Sequence, residues 1–572
     1  MTGQPSKQDS LALLALLVLL PVLIFAYPLA LGIPILDPAE GLHASIAQEM
    51  VEHADWVTPR FLGKPFLDKP ILYFWAEALS MRLFGMNEAA LRLPGLMFGL
   101  LGALTTGLLA WRMAGRSTAV LAALFYATTI LPTALAQAAA HDVALIPWIN
   151  LAILAFWESQ RALTRRGAWG CTLAAGLSLG LACLTKGLVG VAVAGVAYGS
   201  YLLVVRRLNF AACGQAAVAL TVSALVACPW YIAMEIRNPG YSYYFFVARH
   251  VLGYVSDAQP HADRPFWYYL PILLAGGLPW IAYLPATLRD AWLRRKQAEP
   301  GEDHRGLGLL LCWAVGCTVL LSVAHSKQAT YIWPVFPPLA ILSALGWGRF
   351  LAGSLSPPAE RDLDRTFRCS AWIAPVVLPA IVLAVGLVAP LQVSWRGWLA
   401  VLAGAATACA PLVFWHAGRR RAALAAFILT VAVEFAVLMT VVVPGVAAYC
   451  SGRDLAQHFN ARGQLPPHVL IVEERVGSIV FYLDRSLRNE LRPGQLASLR
   501  LSRLDELLTA EPGTVVAVPE RWVAKLAQQL RLSDSDFQQA GRYRLYDAQQ
   551  LVPILLAAHR CDDRPSPGPQ WR

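Results

Sequence analysis

Apolar runs of about 20 residues recur from Leu11 to Pro444, separated by short polar connections. A helix of about 20 mostly apolar residues crosses the ~30 Å hydrocarbon layer, where each backbone amide must find its partner inside the segment. About thirteen segments meet that length: 11–34, 93–114, 117–138, 143–160, 168–184, 188–205, 210–235, 265–287, 307–324, 329–350, 371–391, 397–416 and 422–443. The pattern predicts an all-α polytopic membrane protein with a transmembrane domain over 1–443. The first run exceeds the roughly 7–15 apolar residues of a cleaved signal, so it reads as a span.

Two stretches break the pattern. The loop 35–92 reads as two amphipathic helices, Gly41 to Ala54 with Leu42, Ile46 and Met50 on one face, and Ile71 to Phe84. Helices polar on one side and apolar on the other are expected at the outer boundary of membrane and water. In the tail, 444–572, Val469–Glu473 and Val515–Pro519 read as buried strands, with helices near 477–483 and 520–531. That predicts a small extracytoplasmic α/β domain, ending in a disordered CDDRPSPGPQWR.

Composition sharpens this picture. Of 572 residues, 57% are hydrophobic and 15% charged, against about 25% charged in soluble proteins, which excludes an ordinary cytosolic enzyme. The 47 basic and 36 acidic residues give +11, but the cations are scattered between apolar runs rather than gathered on a nucleic-acid-binding face. Arginines fill alternate connections, among them Arg112, Arg161, Arg206, Arg294, Arg349 and Arg420. Short cytoplasmic loops are the arginine-rich ones, so an odd number of spans leaves the tail outside. Eight of the ten cysteines lie in or beside spans and read as packing residues. Cys450 and Cys561 both fall in the outer tail, where an oxidising compartment permits a disulfide.

The informative polar residues oppose the topology signal. Of seven lysines, Lys64, Lys69, Lys186 and Lys327 fall on outer loops. Lys64 reads as a solvated loop lysine; the other three, at the mouths of apolar stretches, read as contacts to a phosphate. Asp37 and Glu40 follow the first span, and Asp142 lies between two spans with almost no loop. An ionisable group at membrane depth is a functional candidate, although Asp37 or Glu40 equally suits an N-cap of the helix that follows. From Tyr241 to Pro271, Arg249, His250, His261 and Arg264 interleave with aromatics, as suits an amphiphile with an anionic head. A divalent metal on His250 or His261 is an open alternative without a recognisable ligand spacing, and no cofactor is certain from the sequence.

The run LDPAEGLHASIAQEMVEHADWVTPRFLGKPFLDKPILYFWAEALSMRLFG, with EAALRLPG, LTKGL, SDAQPHADRPFWYYLP and HSKQATYIWP, resembles lipid-carrier-dependent glycosyltransferases of the C superfamily. Within these it is most similar to the aminoarabinose transferases that modify lipid A, with protein O-mannosyltransferases more distant. The resemblance covers the first 350 residues. It implies an inverting transfer from a polyprenyl-phosphate sugar at the outer, periplasmic face of the bacterial inner membrane. It further implies that Lys69 contacts the carrier phosphate beside Asp68, and that Lys186, Asp142, His250, Lys327 and Tyr331 line the shared cavity. The family's Asp before the Glu that opens the loop helix is replaced here by Ala39, so either Asp37 or Glu40 takes its place, or this branch uses another acceptor or is catalytically altered.

The chemistry fits such a site. An acceptor attacking the anomeric carbon needs a hydrogen-bond acceptor within about 3 Å, less so if it is already an anionic phosphate, and the departing carrier phosphate needs cations. No GxGxxG or GxxxxGK[ST] calls for a nucleotide. The expectation is that Lys69, Lys186, Lys327 and Arg264 hold donor phosphate while Asp37 or Glu40, with Asp142, orients a lipid or glycan acceptor, in a monomer embedded among membrane lipids. A transporter of polyprenyl-linked sugars or lipids is the alternative, but transporters carry repeats and midplane charges, whereas these polar residues sit on loops.

Overall fold

The computed structural model describes residues 33–252, 264–297, 305–388, 393–530 and 537–562. They form two compact units: 55–59 with 66–443, and 33–54 with 60–65 and the tail from 444.

In the first unit, nine helices are long and apolar enough to cross a membrane among the described residues, and up to eleven if each of two bent pairs is one span. Arg116–Ala127 and Ile130–Ala136 meet at 64°, and Phe266–Gly276 and Trp280–Arg295 at 97°. Pro279, which has no N–H to continue a helix, stands at the second break. All twelve segments expected from residue 93 onward fall on these helices or on Val189–Val204. Thirteen full spans are nevertheless not what the described residues give. Val189–Val204 has 16 residues, about 24 Å at ~1.5 Å per residue and short of the hydrocarbon thickness, while 11–32 lies outside the described residues.

Side-chain caps start several of these helices: Asn87 accepts from the Ala90 N–H, Thr164 from Gly167 and Asn209 from Ala212, each contributing about 1 kcal/mol. Small residues set the close crossings. A Cβ on Gly176 or Gly180 would lie 2.6 Å from Val222 or Val226 of Phe210–Arg237, the small-residue contact by which membrane helices approach. Outward, Leu225, Ile232, Val376 and Leu387 are exposed, a lipid-facing surface rather than a water-facing one.

The second unit is built on a five-stranded sheet. With β1 (Arg60–Phe61) and β2 (Lys64–Pro65) forming a separate antiparallel hairpin, the sheet comprises β3 (His468–Val472), β4 (Leu496–Leu499), β5 (Thr514–Pro519), β6 (Gln538–Ala540) and β7 (Tyr543–Asp547) in the order β4-β3-β5-β7-β6. β3 pairs in parallel with β4 and β5, and β7 antiparallel with β5 and β6. The expected strands and the helices near 477 and 520 are present, the latter as Gly477–Tyr482 and Glu520–Leu530. Residues 563–572, expected to be disordered, and the Cys561 side chain, the expected partner of Cys450, lie outside the described residues.

The expected amphipathic helix at 41–54 is instead Ala39–His53, and it is buried on most sides. It packs on Gly477–Tyr482, and the reason lies in two glycines: a Cβ on Gly477 would come within 2.5 Å of the Gly41 backbone. Ser45 Oγ donates to the Gly477 carbonyl at 2.7 Å, and Arg488 pairs with Glu52 at 2.5 Å. Protein, not a membrane surface, covers this helix. Leu72–Phe84, in the first unit, does leave Leu79, Leu83 and Phe84 exposed beside a buried face.

Candidate active site

Two helix ends, the connection 66–71 and the helix Tyr243–Leu252 of the first unit bring charges together. Lys186 closes Arg165–Lys186, where Gly187 at φ 72° ends the helix, and Asp142 lies in the first turn of His141–Ser159. A cation at a helix C-terminus and a carboxylate at an N-terminus each suit the local dipole, and here they form an ion pair with each other. Lys186 is 8% exposed. Its Nζ also lies 4.2 Å from the centre of the Tyr331 ring, a cation–π contact that substitutes in part for lost water.

Lys69 and Asp68 occupy the short connection between β2 and Leu72–Phe84. Asp68 accepts a hydrogen bond from the Tyr244 hydroxyl and one at 3.3 Å from Arg249 Nη2. Burial pushes the Lys69 ammonium down to about 8, helped by the positive charges of Lys186 and Arg249 and opposed by Asp142 and Asp68. Those five groups are therefore one electrostatic cluster, with three cations facing two carboxylates. Lys327 is buried and donates to the Arg264 carbonyl at 2.8 Å. The Arg264 guanidinium is exposed and lies 5.8 Å from the centre of the Tyr268 ring.

The other candidates belong to the second unit or are not described. Asp37 and Glu40 belong to the second unit. Asp37 accepts from the Ser478 N–H at 3.1 Å and from the Ser478 hydroxyl; burial raises its carboxyl to about 7 against those bonds. Glu40 is buried and accepts from the Leu36 N–H at 3.0 Å. Lys64 is exposed on β2. The side chain of His250 and all of His261 lie outside the described residues. Among the described residues no group of three or more His, Cys, Asp or Glu has metal-holding geometry.

Sequence reasoning noted Arg249 among the aromatics without assigning it, and it missed Tyr244 and Ser478. Tyr244 lies 176 residues from Asp68, and Ser478 441 residues from Asp37; no local spacing signals either.

Known proteins share this arrangement of helices. The crystal structure of ArnT from Cupriavidus metallidurans bound to undecaprenyl phosphate superimposes with a TM-score of 0.72 at 23% identity, covering 94% of this chain and 97% of that one. The oligosaccharyltransferase AglB from Archaeoglobus fulgidus, in complex with an inhibitory peptide and a dolichol-phosphate, gives 0.53 at 13% identity over 95% of this chain and 75% of its own. The chain shares the fold of these two structures. Its sequence is aminoarabinose-transferase-like: the undecaprenyl phosphate-alpha-4-amino-4-deoxy-L-arabinose arabinosyl transferases of Edwardsiella ictaluri and Aeromonas salmonicida are 36% and 35% identical, each match covering 59% of both chains. The matched part thus spans about three fifths of those relatives. That of Pectobacterium carotovorum is 33% identical over 66% of this chain and 65% of its own. The profile of the dolichyl-phosphate-mannose-protein mannosyltransferase family matches residues 39–245, a stretch that holds Lys69, Asp142 and Lys186.

Proposed function

We propose that the protein is an inverting glycosyltransferase of the bacterial inner membrane. In this reading it moves a sugar from a polyprenyl-phosphate carrier to a lipid A-type glycolipid at the periplasmic face. The observation that carries the proposal is the cluster of Lys69, Lys186 and Arg249 against Asp68 and Asp142, one positive charge in excess. As the bond from the anomeric carbon to the carrier phosphate breaks, negative charge gathers on the departing oxygen. Cations already fixed at that point stabilise it without reorganisation. Lys69 meets the phosphate as a point charge. Lys186 is held toward it by Asp142 and the Tyr331 ring, and Asp68 holds Arg249 in place. Lys327 shapes the neighbouring wall through the Arg264 carbonyl, leaving the Arg264 guanidinium for the carrier.

Asp142 is the carboxylate we assign to the acceptor side. Asp37 and Glu40 are engaged by Ser478 and Leu36 in their own unit. A phosphate acceptor is already anionic and requires no general base.

Lys69→Ala should slow transfer from a polyprenyl-phosphate sugar about 10- to 150-fold, since hydrogen bonds to charged groups contribute roughly 1.5–3 kcal/mol. The purified variant should elute as a folded protein in detergent. Wild-type turnover by that variant would remove the phosphate-site assignment.

A further inference from the structure

The arginine-bearing end of the first unit holds a second polar constellation. Tyr331 and Arg349 stand at opposite ends of Ala329–Leu351, about 27 Å apart at ~1.5 Å per residue, so this constellation is remote from the Lys69 cluster. Its centre is Asp290, fully buried on Leu284–Gln297. Asp290 accepts from Arg294 Nε at 2.9 Å, from Arg349 Nη1 at 2.8 Å and from the Ser356 N–H at 2.8 Å. Arg294 also donates to the Ser354 carbonyl. Beside the two arginines lies a cavity of about 360 Å³, within the ~300–1,000 Å³ range of small-molecule sites. Arg294, Arg349 and Ser354 line its polar side, and Met113, Leu307 and Leu310 its apolar side.

Two guanidiniums share one carboxylate, which leaves a net positive charge. Each guanidinium carries more N–H donors than these bonds use, in a planar fork that matches phosphate oxygens. Asp290 and Ser354 fix both forks before any ligand arrives. The apolar wall is made by the ends of two membrane helices, Glu88–Ala114 and Arg305–Val323, at the level where lipid headgroups lie. Basic pockets between helices at such a level suit phospholipid head groups. We propose that this cavity binds the phosphate of an anionic membrane phospholipid, with the lipid's glycerol and first methylenes against Met113, Leu307 and Leu310. An anion without an apolar body would leave that wall unused.

The test is native mass spectrometry of the full chain in detergent, delipidated and then supplied with phosphatidylglycerol, phosphatidylcholine or inorganic phosphate. One phosphatidylglycerol per chain should survive activation where phosphatidylcholine is lost. Arg349→Gln should lower its retention about tenfold or more, as loss of a charge-assisted bond implies. Because that variant disturbs the Asp290 pairing, Gly306→Leu serves as the second: a Cβ there meets Met113 Cβ at 3.6 Å, an ordinary contact, so the added side chain grows into the cavity and leaves the ion pairs alone. It should abolish the adduct, while Lys69→Ala should keep it. Equal retention of the two lipids, retention unchanged in both cavity variants, or loss of the adduct in Lys69→Ala would each overturn the proposal. So would displacement of phosphatidylglycerol by inorganic phosphate, which would mark a site for a free anion.

Discussion

Lys69 is a lysine whose charge is costly where it stands. Its ammonium, pushed to about 8 by burial and by Lys186 and Arg249, is still mostly protonated at neutral pH. In the proposed reaction an arriving phosphate stabilises the charged form, so the donor complex favours protonation and the free protein loses the proton as pH rises past 8. The KM for donor should therefore climb about tenfold per pH unit above 8, one pKa unit being ~1.36 kcal/mol, while Lys69→Arg, whose side chain does not titrate below pH ~12, should hold a flat KM up to pH 9. Steady-state kinetics from pH 7 to 9.5 tests both; parallel profiles would contradict the assignment. Asp37 works in the opposite sense. Its folded value, about 7, lies above the ordinary 3.8, so between pH 4 and 7 the unfolded chain releases a proton that the folded chain keeps. Stability should fall as pH rises through that window, by on the order of a few kcal/mol at most. Thermal melting of Asp37→Asn should lose this dependence, and a wild-type profile already flat from pH 4 to 7 would rule the effect out.

At the scale of elements, the crossing of Ala39–His53 over Gly477–Tyr482 depends on the absence of two side chains. Gly477→Ala places a Cβ 2.5 Å from the Gly41 backbone, so the helices must part, at a cost of about 1–3 kcal/mol for overpacking. A lowered melting temperature of the second unit should result. Gly170→Ala, in a helix with nothing within 4 Å, is the control and should be neutral or stabilising by up to ~1 kcal/mol. Spans from Glu88 onward were legible in the sequence because an apolar run of that length has few other uses, and Lys69, Asp142 and Lys186 drew notice because charge there is expensive. The helix 39–53 was misread for a physical reason. Leu42, Ile46 and Met50 do form a stripe, but burial by glycine contact and by the Ser45 hydrogen bond to Gly477 leaves no hydrophobic signature on the remaining faces.

For the whole molecule, sidedness follows from where charge collects. Arg112 with Glu158, Arg289 with Asp362, and both Arg294 and Arg349 with Asp290 pair at the helix ends away from Lys186. In the orientation proposed above, the positive-inside tendency places those ends in the cytoplasm. With native cysteines replaced, Leu163→Cys, at a fully exposed position, should react with an impermeant maleimide only after the membrane is opened. Lys64→Cys should react in intact spheroplasts. The reverse pattern would invert the proposed topology and with it the periplasmic reaction.

The chain passes back and forth between its two units before the helices of the first are laid down: residues 33–54 and 60–65 belong with the tail, and 55–59 with the spans. The tail is consequently not a cassette. Ile33–Ala54 and the tail helix Gly477–Tyr482 bury each other, yet about four hundred residues separate their synthesis, so the early segment must wait for its partner. In any exchange between relatives, the opening segment and the tail would have to be inherited as a pair, because a graft of the tail alone would leave Gly477 facing a stranger at position 41.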